Sequence, residues 1–266
     1  MIELHNAEAW EWLSDNEDRK WDMLFMDPPD NLGINYEGLP ADWDKRSESS
    51  YYNWLWGLIF DAIHIAPIVW ISYYHKHDLE IKRIVAKILK KVKPTWEART
   101  FIWRFNFGQY RVSDCASGYR PILRLSSPVM LKKWNCDAIR IESERQRLGD
   151  PRAAGPKVPD DVFEFPRVQG NAIERRAWIP TQHPEALIER IVKLSLNTKK
   201  PRILELFTGS GTMIRVVKKL NYGNSAQMDD GVRIYGNEIN LDTIELSKEY
   251  VQRLKEEHPE ITVKEG

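Results

Sequence analysis

The chain has 266 residues, 42% of them hydrophobic, with 39 Lys/Arg against 39 Asp/Glu. That is enough apolar material for one large domain, or one domain with an inserted lobe, and the zero net charge gives no bulk attraction to a polyanion. No apolar run approaches the roughly 20 residues a membrane span needs, and Cys115 and Cys136 make neither a disulfide framework nor a zinc site. The N-terminal MIELHNAEAWEWL has no basic stretch leading into a cleavable apolar segment, so no secretory leader, no membrane partner and no metal are expected, and a reduced, cytoplasmic setting is.

Strand-like and helix-like segments alternate, which predicts an α/β fold. DMLFMD (22–27) reads as a short buried strand ending in Asp27, after which Pro28, Pro29 and Asp30 form a loop. SESSYYNWLWGLIFDAIHIA (47–66) begins with serines and Glu48 and continues with apolar residues at helical spacing. PIVWISYY (67–74) is a β-branched and aromatic strand. HDLEIKRIVAKILKKV (77–92) is an amphipathic helix with Ile81, Ile84, Val85, Ile88 and Leu89 on one face. ARTFIWRFNFG (98–108) and YRPILRLSS (119–127) read as strands. Periodicity then fails, and 108–178 is expected to be an inserted, loop-rich lobe between domain segments 1–107 and 179–266. Order returns with the helix HPEALIERIVKLSLN (183–197), then strand, glycine turn and helix in PRILELFTGSGTMIRVVKKLN (201–221). The strand VRIYGNEIN (232–240) and the helix LDTIELSKEYVQRLKEE (241–257) complete the series.

Three features carry chemistry. Asp27 stands at the C-terminal end of a parallel strand, where open α/β sheets bind ligands. Pro28 and Pro29 fix φ and remove two N–H donors, so a carboxylate and a bare carbonyl stand side by side, two acceptors suited to one NH₂ group. The same three residues are equally readable as a rigid strand-ending turn. The turn FTGSGT puts Gly209 and Gly211 between strand and helix, where backbone N–H groups can approach a ligand at the positive end of a helix. It is neither a P-loop nor a full dinucleotide fingerprint. Glu238 follows 27 residues after Gly211 and can accept from both hydroxyls of a ribose. Finally, Arg99–Arg152 holds eleven Lys/Arg and five Asp/Glu, a surplus of six. That basic middle segment is either a polyanion-facing surface or an ordinary solvated face.

DPPD near the N-terminus and FTGSGT near the C-terminus resemble the amino-group DNA methyltransferases that use S-adenosylmethionine. The order, tetrad first and cofactor turn last, is similar to the permuted β group of that family. TQHPEALIERIV (181–192) looks like the segment before the cofactor turn, and DVFEFPRVQGN (161–171) like the return from the target-recognition lobe. The resemblance implies a class I methyltransferase fold, a Rossmann-like mixed, mostly parallel sheet of the seven-strand type. It also implies methylation of an exocyclic amine on a base flipped from double-stranded DNA, adenine N6 ahead of cytosine N4, by a prokaryotic or phage-encoded enzyme. An RNA substrate, or a silent nucleic-acid binder of the same fold, are the alternatives. By position, Asp27 and Pro28 would hold the amine, with Pro29 shaping the loop. Phe207, Gly209, Gly211 and Glu238, with Gln182 and His183, would line the cofactor site. Lys132, Lys133, Arg140, Arg145, Arg147 and Arg152 would contact the nucleic acid, and the aromatic helix at 51–66 could pair two copies into a homodimer. Asp30 departs from the family, whose fourth tetrad residue is an aromatic ring that stacks on the base. Either Tyr36, Trp43 or Tyr52 supplies the ring instead, or Asp30 hydrogen-bonds a different base edge and the target is not the usual adenine, or catalysis is impaired and a binding protein remains. A second carboxylate beside Asp27 also requires a proton or a cation to offset the repulsion.

Overall fold

The computed structural model describes residues 2–34, 44–109, 112–198, 200–220, 233–237 and 244–265. In chain order its elements are β1 (Glu3–Asn6), α1 (Ala9–Asp15), β2 (Met23–Met26), α2 (Glu48–Ile65), β3 (Ile68–Ser72) and α3 (Asp78–Val92). There follow β4 (Glu97–Gln109), β5 (Ser117–Ser126), α4 (Glu144–Arg147), β6 (Val162–Glu164) and α5 (Glu185–Ser195). The chain closes with β7 (Arg202–Leu206), α6 (Thr212–Lys219), β8 (Arg233–Asn237), α7 (Ile244–Glu257) and β9 (Thr262–Glu265).

The strands form one sheet in the order β6-β4-β5-β3-β2-β7-β8-β1-β9. All its pairings among the described residues are parallel except β3 with β5 and β4 with β5. β2 and β3 are buried along their whole length, as expected of strands covered on both faces. Alternation then sorts their side chains. Leu24, Met26, Val69 and Ile71 join the layer built with α1, α2 and α3, whereas Met23, Phe25, Ile68 and Trp70 join the layer containing α5 and α6. Each such fully buried side chain stabilises the fold by about 1.5–3 kcal/mol relative to exposure. This is the class I methyltransferase architecture expected from the sequence, a mostly parallel sheet between two helical layers, though with nine strands rather than seven.

One expectation changes. Residues 117–126 and 162–164, inside the segment read as a lobe, are strands of the sheet, because the alternating apolar residues Phe101, Trp103, Ile122 and Phe163 all close one core. Among the described residues of that segment, 112–116 before β5 and the stretches between β5 and β6 and between β6 and α5 lie off the sheet. The aromatic residues of α2 also face inward. Tyr51 and Trp54 are buried, and Trp56 and Phe60 are half-buried and pack against the same core.

Candidate active site

The parallel pairing of β2 with β7 puts Met26 opposite Leu206. The loop beginning at Asp27 and the turn beginning at Phe207 therefore leave adjacent strands at the same, C-terminal edge of the sheet. β5 runs antiparallel to β3, with Ser72 opposite Ile122, so residues at the start of β5 come to that same edge. One of them is Arg120.

Arg120 is the organising side chain. Its Nη2 donates to Asp27 Oδ1 at 2.7 Å and to Asp30 Oδ1 at 3.0 Å, its Nη1 donates to Asp30 Oδ2 at 2.7 Å, and its Nε donates to Ser72 Oγ at 2.7 Å. The cation required to sit beside two carboxylates is thus present. Burial opposes the charge of Arg120, but Asp27 and Asp30 outweigh it and push its pKa further up. For Asp27, burial alone would raise the carboxyl. Arg120, His183 and the hydrogen bonds from Arg120 and Ser72 prevail and hold it below its ordinary value of 3.8.

Asp30 is buried and fully engaged. Besides Arg120, its Oδ1 accepts the Tyr74 backbone N–H at 2.9 Å, and its carbonyl is 2.7 Å from His77 Nε2. It does not stand where it could read a base edge. Tyr52 hydroxyl is 2.9 Å from His77 Nδ1, and Tyr51 hydroxyl donates to the Pro29 carbonyl at 2.9 Å. The ring expected to replace the stack is therefore not a free Tyr52, whose hydroxyl anchors this loop through His77. Tyr36 and Trp43 lie outside the described residues. Among the described residues nothing donates to the Pro28 carbonyl.

His183 is in the site. Its Nδ1 is 3.5 Å from Asp27 Oδ2 and its Nε2 is 2.9 Å from Ser72 Oγ, while the ring packs between Phe25 and Trp103. Burial lowers its pKa despite the neighbouring Asp27 charge, so the ring is neutral at pH 7. Gln182, expected on the cofactor side, instead ties its own loop. Its Oε1 accepts the Arg176 N–H at 2.9 Å and its Nε2 donates to the Glu174 carbonyl at 2.7 Å.

The glycine turn is tightly constrained. Phe207, Gly209 and Gly211 all have left-handed backbones, at φ 66, 51 and 71, and Phe207 is one of two described non-glycine residues in that region. A Cβ on Gly211 would lie 2.7 Å from Leu254 Cδ2, and on Gly209 3.1 Å from Ile179 Cδ1. Thr208 Oγ1 is buried without a hydrogen-bond partner. A strained turn with an unsatisfied buried hydroxyl at a helix N-terminus suits a polar ligand such as an adenosyl group. Glu238 lies outside the described residues, directly after β8.

The nucleic-acid candidates divide. Arg140 is paired with Asp137 at 2.7 Å, Arg147 with Glu144 at 3.5 Å and Arg152 with Asp150 at 3.1 Å, so these charges are largely answered locally. No ion pair involves Arg145 or Lys133 among the described residues, and the side chain of Lys132 lies outside them. Arg120 is the functional residue that sequence reasoning missed. Its only signal is a charged residue inside an otherwise strand-like run, YRPILRLSS.

A class I methyltransferase sheet, with an Asp-Pro-Pro loop beside a glycine turn, defines the class of protein. A family model described as DNA methylase, for N6/N4 amino-group enzymes, matches residues 21–255, and the chain belongs to that family, whose methyl donor is S-adenosylmethionine. The chain is 28% identical over 235 residues to the DNA adenine methyltransferase YhdJ of Escherichia coli K12, covering 85% of this chain and 74% of that protein. To the type II methyltransferase M.HpaI of Haemophilus parainfluenzae it is 28% identical over 241 residues, covering 89% and 70%. The fold is shared with the M1.HpyAVI–SAM complex, at a TM-score of 0.55 and 19% identity over 97% of this chain and 100% of that one. It is shared also with TTHA0409 of Thermus thermophilus complexed with S-adenosyl-L-methionine, at 0.58 and 15% over 100% and 99%.

Proposed function

We propose that this protein methylates the N6 amine of adenine in DNA, with cytosine N4 as the alternative target, and that it belongs to the permuted β group with DPPD as its tetrad. The observation that carries this reading is the β2–β7 register, which sets the Asp27 loop beside the Phe207 turn. Asp27 and the Pro28 carbonyl accept the two amine hydrogens, leaving the nitrogen lone pair directed at the electrophile. S-adenosylmethionine, when bound, supplies an electrophilic methyl group. Phe207, Thr208, Gly209 and Gly211 would hold it, with Glu238 on the ribose hydroxyls. The target base leaves the duplex to reach this edge, and the stretch between β5 and β6, with Lys133 and Arg145, holds the DNA. Support for adenine comes from YhdJ, and support for a restriction–modification setting from the type II relative.

The test is incubation with S-adenosylmethionine and mixed-sequence DNA, followed by digestion and mass spectrometry of the nucleosides. N6-methyladenine that disappears in Asp27→Ala is the expected result. N4-methylcytosine would reassign the base, and unmodified DNA would overturn the proposal.

A further inference from the structure

Arg120 does not treat its two carboxylates alike. Asp30 receives the guanidinium fork, with Nη1 on Oδ2 and Nη2 on Oδ1, whereas Asp27 receives a single N–H on Oδ1. Bidentate pairing is the stronger and more directional of the two modes. Asp30 is also held from behind by the Tyr74 N–H and by His77, and its side chain is only 10% exposed. Asp27 is the more accessible member at 24%, and besides Arg120 it meets, among the described residues, His183 at 3.5 Å from its Oδ2 and the Ser72 hydroxyl.

We propose that Arg120 is a positioning residue for Asp27, and that Asp30 occupies the guanidinium fork so that Asp27 keeps an oxygen and its charge for the amine. This rests on the reading of Asp27 as the amine-gripping group. With Asp30 absent, nothing competes for the fork, and Arg120 closes on Asp27 in the same bidentate mode, consuming both oxygens. With Asp30 present, two carboxylates and one guanidinium leave one net negative charge, and it resides on Asp27, the more accessible of the two. Asp30 thus anchors the loop from below instead of stacking from above, and Asp30 and Arg120 act as a matched pair.

The groups facing Asp27 are Arg120 and Ser72 from β5 and β3, His183 from the segment before α5, Asp30 from its own loop and Tyr51 from α2. His183 is neutral. Tyr51 also remains a neutral phenol, because burial and then Asp30 push its ionisation up. Arg120 is therefore the one fixed positive charge in the set.

The experiment is a cycle of Asp30→Asn, Arg120→Met and the double variant. Each is followed by carbon-13 NMR titration of labelled aspartate carboxyls, by equilibrium dialysis of S-adenosylmethionine and by kcat and KM on DNA. In the wild type Asp27 titrates below 3.8. In Arg120→Met one carboxyl of the pair titrates well above it, because two buried acids then share a proton. In the isosteric Asp30→Asn, Asp27 titrates lower still and kcat falls about 100-fold with cofactor affinity unchanged. The double variant is more active than Arg120→Met alone, since removing Asp30 removes the repulsion. An Asp27 titration unmoved by both single variants, or a double variant no better than Arg120→Met, overturns the proposal. If the titrations move as stated but the wild type methylates no DNA, the clamp stands and the assigned function fails.

Discussion

Gly211 and Gly149 have nearly the same left-handed backbone, φ 71 and 69, in different surroundings. A Cβ on Gly211 would lie 2.7 Å from Leu254 Cδ2, whereas one on Gly149 would meet nothing within 4 Å. Alanine therefore costs the same backbone strain at both sites, about 1–2 kcal/mol. At Gly211 overpacking against α7 adds about 1–3 kcal/mol. The expected losses are about 1–2 kcal/mol for Gly149→Ala and about 2–5 kcal/mol for Gly211→Ala. At about 2–4 °C per kcal/mol for a domain of this size, the two variants separate clearly in thermal melts as well as in urea titrations. Leu254→Ala should couple to Gly211→Ala and not to Gly149→Ala, because it vacates the space the new methyl needs. Calorimetric titration with S-adenosylmethionine should show weakened binding for Gly211→Ala alone. Equal stability losses at the two glycines, together with no coupling to Leu254, would refute the close approach of α7 to this turn.

The Asp27 carboxyl is held below its ordinary value in the folded state, so its ionisation stabilises the fold fully above pH 3.8, and that contribution fades as pH falls through the lower folded value. Urea midpoints of the wild type and Arg120→Met, compared from pH 6 down to pH 3, should therefore converge toward the acid end; a gap that widens there would contradict the ion triad. On the DNA side, Arg145→Ala and Lys133→Ala should each reduce the slope of log affinity against log salt by about 1. Arg140→Ala should change it less, because Asp137 already answers that charge; equal slopes for all three would remove the distinction.

Several parts of the protein were legible residue by residue. The run MLFM, the amphipathic face of Ile81, Ile84, Val85, Ile88 and Leu89, and the glycines after LEL are local signals, and each became β2, α3 or the turn before α6. β1, α1 and β9 are short elements at the ends of the chain, with too few residues for periodicity to be read. β6 has three residues and acquires its strand identity from pairing with Ile102, Trp103 and Arg104 of β4.

The sequence by itself determined β2, the helices and strands from α2 to β5 and from α5 to α7, the two ligand-edge loops and the departure at Asp30, because side-chain period and turn chemistry are properties of neighbouring residues. Only the tertiary structure decided what Asp30 does. The antiparallel direction of β5 carries Arg120 to the C-terminal edge of β2 and β3, where its guanidinium meets Asp27 and Asp30. Strand direction and register are settled by pairing and burial across distant parts of the chain, and no local pattern around Arg120 encodes them.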